Sequence, residues 1–93
     1  MTIKDIVPQE IILDCLAEEA AELTQAALKL KRTMSHDNPT EITATEASDR
    51  LHEEIADVIV CLNQLDGIDW KLIDGISGRK ILRWEKRLGI RRE

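Results

Sequence analysis

The sequence has no phenylalanine and no tyrosine, and its only large aromatic side chains are Trp70 and Trp84. A hydrophobic core built from this chain must therefore be aliphatic, and its 43% of apolar residues are enough to form one. A chain of 93 residues buries only a modest part of its surface when it folds alone. We therefore expect one domain, residues 1–93, that gains stability by association with further copies.

Cysteine is also scarce, because Cys15 and Cys61 are too few for a disulfide framework. The chain has no apolar run as long as a membrane span, and its start, MTIKDIVPQE, lacks the basic and apolar regions of a signal peptide. These absences predict a cytoplasmic protein with reduced thiols and no membrane partner. His36 and His52 do not have the spacing to the cysteines that a zinc site requires.

The chain has no overall excess of basic residues. Its net charge of −5 at pH 7 argues against binding to a nucleic acid polymer, which usually requires a basic protein. The charge is unevenly distributed, because acidic residues dominate the middle while the end, GRKILRWEKRLGIRRE, is basic. This asymmetry suits a small anionic ligand held between metal-bound carboxylates and a basic helix.

Alternation of polar and apolar residues, the pattern of a β-strand, is absent over any useful length, so we predict no sheet. We predict three helices, at about 8–31, 44–65 and 70–88. Pro8 suits a first turn, Thr43 and Glu46 form a capping box, and Asp69 is a good N-cap. The predicted fold class is an all-α antiparallel helix bundle of three to four helices, completed by oligomerisation.

The polar segment at 33–43, which contains the turn signal Asn38-Pro39, is predicted to be a loop. Gly75 and Gly78 weaken the middle of the third helix, which is either one bent helix or two shorter ones.

The apolar seams of the first two helices each contain one glutamate. An amphipathic helix repeats its apolar residues at alternating steps of three and four. The first seam consists of Ile12, Leu16, Leu23, Ala26 and Leu30, and the second of Ala47, Leu51, Val58, Cys61 and Leu65. The missing members are Glu19 and Glu54, and each has an acidic residue three positions later on the same face, Glu22 or Asp57.

Four carboxylates near the seams need a compensating charge. A lone buried carboxylate is costly and tends to become neutral, and four together repel one another. A hard divalent cation relieves both problems because it prefers oxygen ligands. The pattern therefore predicts a Mg²⁺ site, for which Mn²⁺ can substitute, formed by Glu19, Glu22, Glu54 and Asp57. The alternative is an ordinary solvated acidic face.

The segments EEAAE at 18–22 and EEIAD at 53–57 resemble the Glu-Glu-x-x-Glu and Glu-x-x-Asp motifs of MazG-like all-α nucleoside triphosphate pyrophosphohydrolases. From about Ile11 to Leu88, the order and spacing of EEIADVIVCLNQL, GIDW and RKILRWEKRL are similar to small single-domain members, including bacteriophage ones. The resemblance implies an all-helical fold that assembles as homodimers or homotetramers. It also implies Mg²⁺-dependent hydrolysis of a nucleoside triphosphate to the monophosphate and pyrophosphate.

The same resemblance implies roles for individual residues. The metal ligands would be Glu19, Glu22, Glu54 and Asp57, and together with Glu18 they form the predicted catalytic set. Glu18 and Glu53 match the leading acidic positions, and Glu18 would bind a second metal or orient the attacking water. Lys80 and Arg83 resemble the phosphate-binding positions of the last helix, although a solvated basic face paired with Glu85 is an alternative.

Other functions remain open at this point. All-α dUTP or dCTP hydrolases and phosphoribosyl-ATP pyrophosphohydrolase share the acidic motifs, so the motifs cannot separate them. A non-enzymatic helical interaction module, in which the acidic seam sets the pairing of helices, is a candidate from another class. Trp84 either stacks on a nucleobase or packs in the core or a subunit contact, and we favour packing.

The two cysteines test the arrangement of the first two helices. If these helices are antiparallel, a metal site requires Glu19 level with Asp57 and Glu22 level with Glu54. Cys15 and Cys61 then share the next layer, unbridged and beside the acidic residues. We expect both to act as small core residues, as free cysteine usually does.

Overall fold

The computed structural model describes residues 1–35 and 42–91 of the chain. Regular structure in these two ranges is entirely helical and consists of α1 (Ile3–Ile6), α2 (Gln9–Thr33), α3 (Ala44–Asn63) and α4 (Trp70–Arg87). The prediction of an all-α chain is therefore confirmed. The one-turn helix α1 was not predicted, and most of the predicted loop, residues 36–41, lies outside the described ranges.

Helices α3 and α4 each begin where a side chain compensates for an unpaired backbone N–H group. The Thr43 hydroxyl accepts a hydrogen bond from the Glu46 backbone N–H at 3.1 Å, and this caps α3. The Asp69 carboxylate accepts one from the Leu72 N–H at 3.0 Å, and this caps α4. Because such caps satisfy otherwise unpaired N–H groups, the helix starts are encoded locally. α4 is one continuous helix through its two glycines.

Helices α2 and α3 form an antiparallel hairpin that is joined at its open end by Gln9. The Gln9 amide donates to the Gln64 backbone carbonyl at 3.0 Å and accepts from the Asp66 N–H at 2.9 Å. Lys4 adds a contact of 3.4 Å to the Asp66 carboxylate. The start of α2 therefore meets the end of α3. Gln9 also satisfies a carbonyl that the last turn of α3 leaves unpaired.

The core lies between the two predicted seams. The buried residues are Ile12, Ala26, Ala47 and Glu54. The half-buried seam residues are Leu16, Glu19, Leu23, Leu30, Leu51, Val58, Cys61 and Leu65. Every predicted seam position is thus buried or half-buried, and both glutamates lie on the buried line. The core is narrow and aliphatic, as the composition predicted.

Helix α4 does not complete a bundle within the chain. Within the described ranges, α2 against α3 is the only extensive helix packing, and α4 is exposed along most of its length. Trp70 is 47% exposed and Trp84 is 67% exposed. Trp84 therefore does not pack in the core of a single chain, and the alternative, packing in a subunit contact, stays a prediction. The radius of gyration is 17.4 Å, whereas a compact domain of this length has about 12 Å. None of the described helices is both long and apolar enough to span a bilayer.

Candidate metal centre

Four carboxylates from two helices converge in the middle of the hairpin. Glu19, Glu22, Glu54 and Asp57 each place one carboxylate oxygen within 4.8 Å of the others. The spacing of three residues puts the two carboxylates of each helix on one face. The antiparallel register then brings the α2 pair and the α3 pair to the same level. The structure thus brings together all four residues predicted as metal ligands.

The cluster contains buried oxygens that lack hydrogen-bond partners. Glu54 is only 5% exposed. One oxygen of Glu54 and one of Glu19 are buried without any partner among the described residues. Glu22 and Asp57 are exposed, so the cluster opens to solvent on one side of the hairpin. Since buried polar atoms are nearly always paired, these two oxygens mark a place where a positive ligand fits.

The carboxylates raise one another's pKa values. Burial, followed by the charge of Glu22, raises the pKa of Glu19 from 4.5 to about 6, and Asp57 and Glu54 add to this effect. Burial and Glu22 also raise the pKa of Glu54, while Arg50 opposes the rise. The cluster therefore binds a proton at a higher pH than isolated carboxylates do, and a bound cation would displace that proton.

The chemistry and size of the donor set fit a hard divalent cation. All four ligands are carboxylate oxygens, the donors that Mg²⁺, Mn²⁺ and Ca²⁺ prefer. Oxygens on opposite sides of Mg²⁺ are about 4.2 Å apart, and those on opposite sides of Ca²⁺ are about 4.6–5.2 Å apart. The observed spread of up to 4.8 Å is of this size. A small contraction would allow the smaller ion to bind.

The other predicted site residues lie apart from this cluster. Glu18 is exposed on α2 and is not one of the four converging ligands. Lys80 and Arg83 are exposed on α4, where they line a shallow groove together with Trp84 and Arg87. Neither cation is among the charges that shift the pKa of the buried glutamates. The basic and acidic halves of the predicted site are therefore separate in the single chain.

Sequence reasoning missed Arg50. Its guanidinium lies 3.9 Å from the Glu54 carboxylate, and it is the cation that lowers the pKa of that group. The signal was present, because Arg50 precedes Glu54 by four residues and such pairs face one another on a helix. Arg50 is half-exposed and partly neutralises the cluster from its rim.

The cysteines lie beside the cluster as predicted. Both are free thiols. Burial raises the pKa of the Cys61 thiol, and the next largest effects come from Cys15, Glu19 and Asp57. Cys15, Glu19 and Asp57 therefore lie near enough to Cys61 to influence its thiol, which agrees with the antiparallel register. Cys15 is exposed, however, so only Cys61 contributes to the core in the expected way.

Comparison with known proteins adds no further evidence on function. No protein-family model, curated protein or solved structure matches the chain. The residues and the geometry of the acidic cluster must therefore carry any functional conclusion.

Proposed function

We propose that the chain is a Mg²⁺-dependent pyrophosphohydrolase that converts a nucleoside or deoxynucleoside triphosphate to the monophosphate and pyrophosphate. The observation that carries the proposal is the convergence of four carboxylates, two of them with buried unpaired oxygens, between α2 and α3. The resemblance of residues 18–22 and 53–57 to the motifs of MazG-like enzymes supports it further. The substrate class comes from that resemblance and the metal site from the cluster.

The four converging carboxylates would hold the metal. When bound, the ion would polarise the α-phosphate and lower the pKa of the attacking water. Glu18 is exposed next to Glu19, where it would orient that water or help to hold a second ion. Lys80 and Arg83 would bind the charged phosphate oxygens, since charge-assisted hydrogen bonds of this kind are strong. This role requires α4, from the same chain or another copy, to approach the cluster.

We also propose that the chain assembles as a homodimer or as a homotetramer built from two dimers. Among residues 1–35 and 42–91, the buried core of the single chain contains only three apolar residues and one glutamate. Small domains with such limited burial usually need association to be stable.

The exposed apolar residues of α4 favour one second candidate, a helical interaction module without enzymatic activity. In that case the acidic seam would set the register of the helices, as buried polar groups do in some coiled coils. Thermal stability separates the two candidates. An interaction module should have the same melting temperature in EDTA as in Mg²⁺ or Mn²⁺.

The direct test of the enzyme is a panel of nucleoside triphosphates, including dUTP, dCTP and phosphoribosyl-ATP, with detection of pyrophosphate. We expect release in Mg²⁺ and none in EDTA. Glu54→Gln should abolish turnover because it removes a metal ligand. Asp49→Asn is a matched control, since it removes one negative charge from an exposed position on the same helix. Equal loss of activity in both variants would refute the assignment of the site.

A further inference from the structure

The hairpin of α2 and α3 needs positive charge beside the acidic cluster if it is to hold a phosphate. Four ionised carboxylates carry a charge of −4, and one divalent ion reduces this to −2. An anionic phosphate that approaches such a site is repelled unless further cations lie close to it. Lys80 and Arg83 do not supply this charge within a single chain, because they lie on α4, apart from the cluster.

Arg50 is the cation that contacts the cluster. Of the described residues, it alone places a basic group within 4.0 Å of any of the four carboxylates, with a guanidinium nitrogen 3.9 Å from an oxygen of Glu54. Glu46 and Glu53 also lie one turn from Arg50 on α3 and are exposed, but neither is within that distance of the guanidinium. The guanidinium is therefore directed toward the buried carboxylate.

The guanidinium of Arg50 has unused hydrogen-bond donors. An arginine side chain carries five N–H donors in a planar fork. The contact of 3.9 Å with Glu54 is an ion pair but is longer than a hydrogen bond. Within residues 1–35 and 42–91, the guanidinium makes no hydrogen bond. The side chain is 54% exposed, so a ligand can reach these donors from solvent.

Arg50 lies on the open side of the cluster. Arg50 and Asp57 are seven residues apart, which is within about 20° of two full turns, so both side chains leave α3 on the same side. Asp57 and Glu22 are the exposed members of the cluster. A ligand that reaches a metal ion in the cluster from solvent therefore passes on the side where Arg50 lies.

The spacing suits a single phosphate group. Small divalent ions bind oxygen at about 2.1 Å, and a guanidinium binds a phosphate oxygen at about 2.8 Å. One phosphate can therefore give one oxygen to an ion that Glu54 holds and another to Arg50, whose nitrogen is 3.9 Å from the same carboxylate. Arginine suits this task because its planar fork matches two phosphate oxygens at once.

We propose that Arg50 is a phosphate-binding residue of the hairpin itself, which leaves Glu54 to the metal and donates to an oxygen of the phosphate bound beside that metal. The inference rests on the proposed function and names the residue of α3 that recognises its anionic substrate. It also gives Arg50 two opposing effects. As a cation, Arg50 competes with the metal for Glu54. As a donor, it favours the phosphate, because hydrogen bonds between charged groups are stronger than those between neutral groups.

Two calorimetric titrations of the full chain separate these effects. The first adds Mn²⁺ alone, and the second adds inorganic pyrophosphate, a product of the proposed reaction, in the presence of excess Mg²⁺. Arg50→Gln should bind Mn²⁺ as tightly as the wild type or more tightly, because it removes the competing charge. It should raise the dissociation constant of pyrophosphate by at least ~10-fold, since the lost contacts are charge-assisted. A variant that had merely unfolded would lose both ligands.

Two matched variants serve as controls. Arg50→Lys keeps the charge but loses the planar fork, so its affinity for pyrophosphate should lie between those of the wild type and Arg50→Gln. Lys31→Gln removes one positive charge from an exposed position in the last turn of α2, and both of its titrations should match those of the wild type.

The outcomes separate the inference from the proposed function. Wild-type affinity of Arg50→Gln for pyrophosphate would overturn the inference and leave Arg50 as a counter-ion of Glu54. Loss of Mn²⁺ binding in Arg50→Gln would also overturn it, because Arg50 would then act by holding Glu54 in position. In both cases, Mn²⁺ binding and turnover by the wild type would leave the proposed function intact. A wild type that binds no Mn²⁺ would refute the metal site of the proposed function, and the inference would fail with it.

Discussion

Without bound metal, the folded chain should become less stable as the pH rises through the range in which Glu19 titrates. The pKa of Glu19 is about 6 in the folded chain and 4.5 ordinarily. Between these values the folded state binds more protons than the unfolded state, so the free energy of unfolding falls as the pH increases. The stabilising contribution of this group is complete below pH 4.5 and is lost once the pH exceeds about 6. Glu54, whose pKa is also raised, acts in the same direction.

A bound divalent ion should reverse this dependence. The ion binds the deprotonated carboxylates, so its affinity increases with pH over the same range. At one hundred times its dissociation constant, a ligand that binds only the folded state stabilises it by about 2.7 kcal/mol. For a domain of this size that corresponds to a rise of roughly 10–20 °C in melting temperature. At pH 4.5, where Glu19 is mostly protonated, the rise should be much smaller.

The assay is a series of melting curves, followed by circular dichroism, between pH 4.5 and pH 8 at constant ionic strength, in EDTA and in Mn²⁺. In EDTA, Glu54→Gln should melt at the same temperature as the wild type or higher, because it relieves the repulsion among the carboxylates. It should also lose most of the rise in melting temperature that Mn²⁺ gives the wild type. Asp49→Asn should behave as the wild type. Subtracting the melting temperature of Glu54→Gln from that of the wild type at each pH also cancels the effect of unrelated titrating groups. One such group is Asp5, because hydrogen bonds from Thr2 lower its pKa. Equal melting temperatures in EDTA and Mn²⁺ at pH 7 would refute the metal site.

Two further predictions concern other parts of the chain. Lys80→Ala and Arg83→Ala should each lower kcat/KM for the preferred triphosphate by about tenfold or more, since each removes a charge-assisted contact. Unchanged melting temperatures, and a Lys71→Ala control with the kinetics of the wild type, would exclude a structural cause. Wild-type kinetics in both variants would place the triphosphate elsewhere. Gln9→Ala should lower the free energy of unfolding, measured in urea, by about 1–3 kcal/mol, because it leaves backbone groups at the end of α3 unpaired. Gln25→Ala, an exposed position on the same helix, should cost much less, and equal losses would contradict the role of Gln9.

The sequence alone determined the three long helices α2, α3 and α4, and the residues that form the seams of α2 and α3. Helix starts such as Thr43 and Asp69 could be predicted because a cap bonds within three residues of itself. The positions of Glu19 and Glu54 on the buried line could be predicted because helical periodicity is a local property. Predicting the convergence of the four carboxylates needed one further assumption, that α2 and α3 are antiparallel. A short connection between two helices favours that arrangement.

The tertiary structure decided the position of α4, the partner of Gln9 and the separation of the basic residues from the cluster. Gln9 bonds to residues 55 and 57 positions away, and no local pattern identifies such partners. Helix α4 carries apolar residues such as Leu72 and Ile81, which are about half exposed, but its own sequence does not say what they would pack against. The amphipathicity of a helix indicates how much apolar surface the helix must bury. Which element it packs against depends on which long-range contacts outweigh the entropy of ordering the chain. In this chain those contacts join α2 to α3 and leave α4, with Lys80 and Arg83, exposed to solvent.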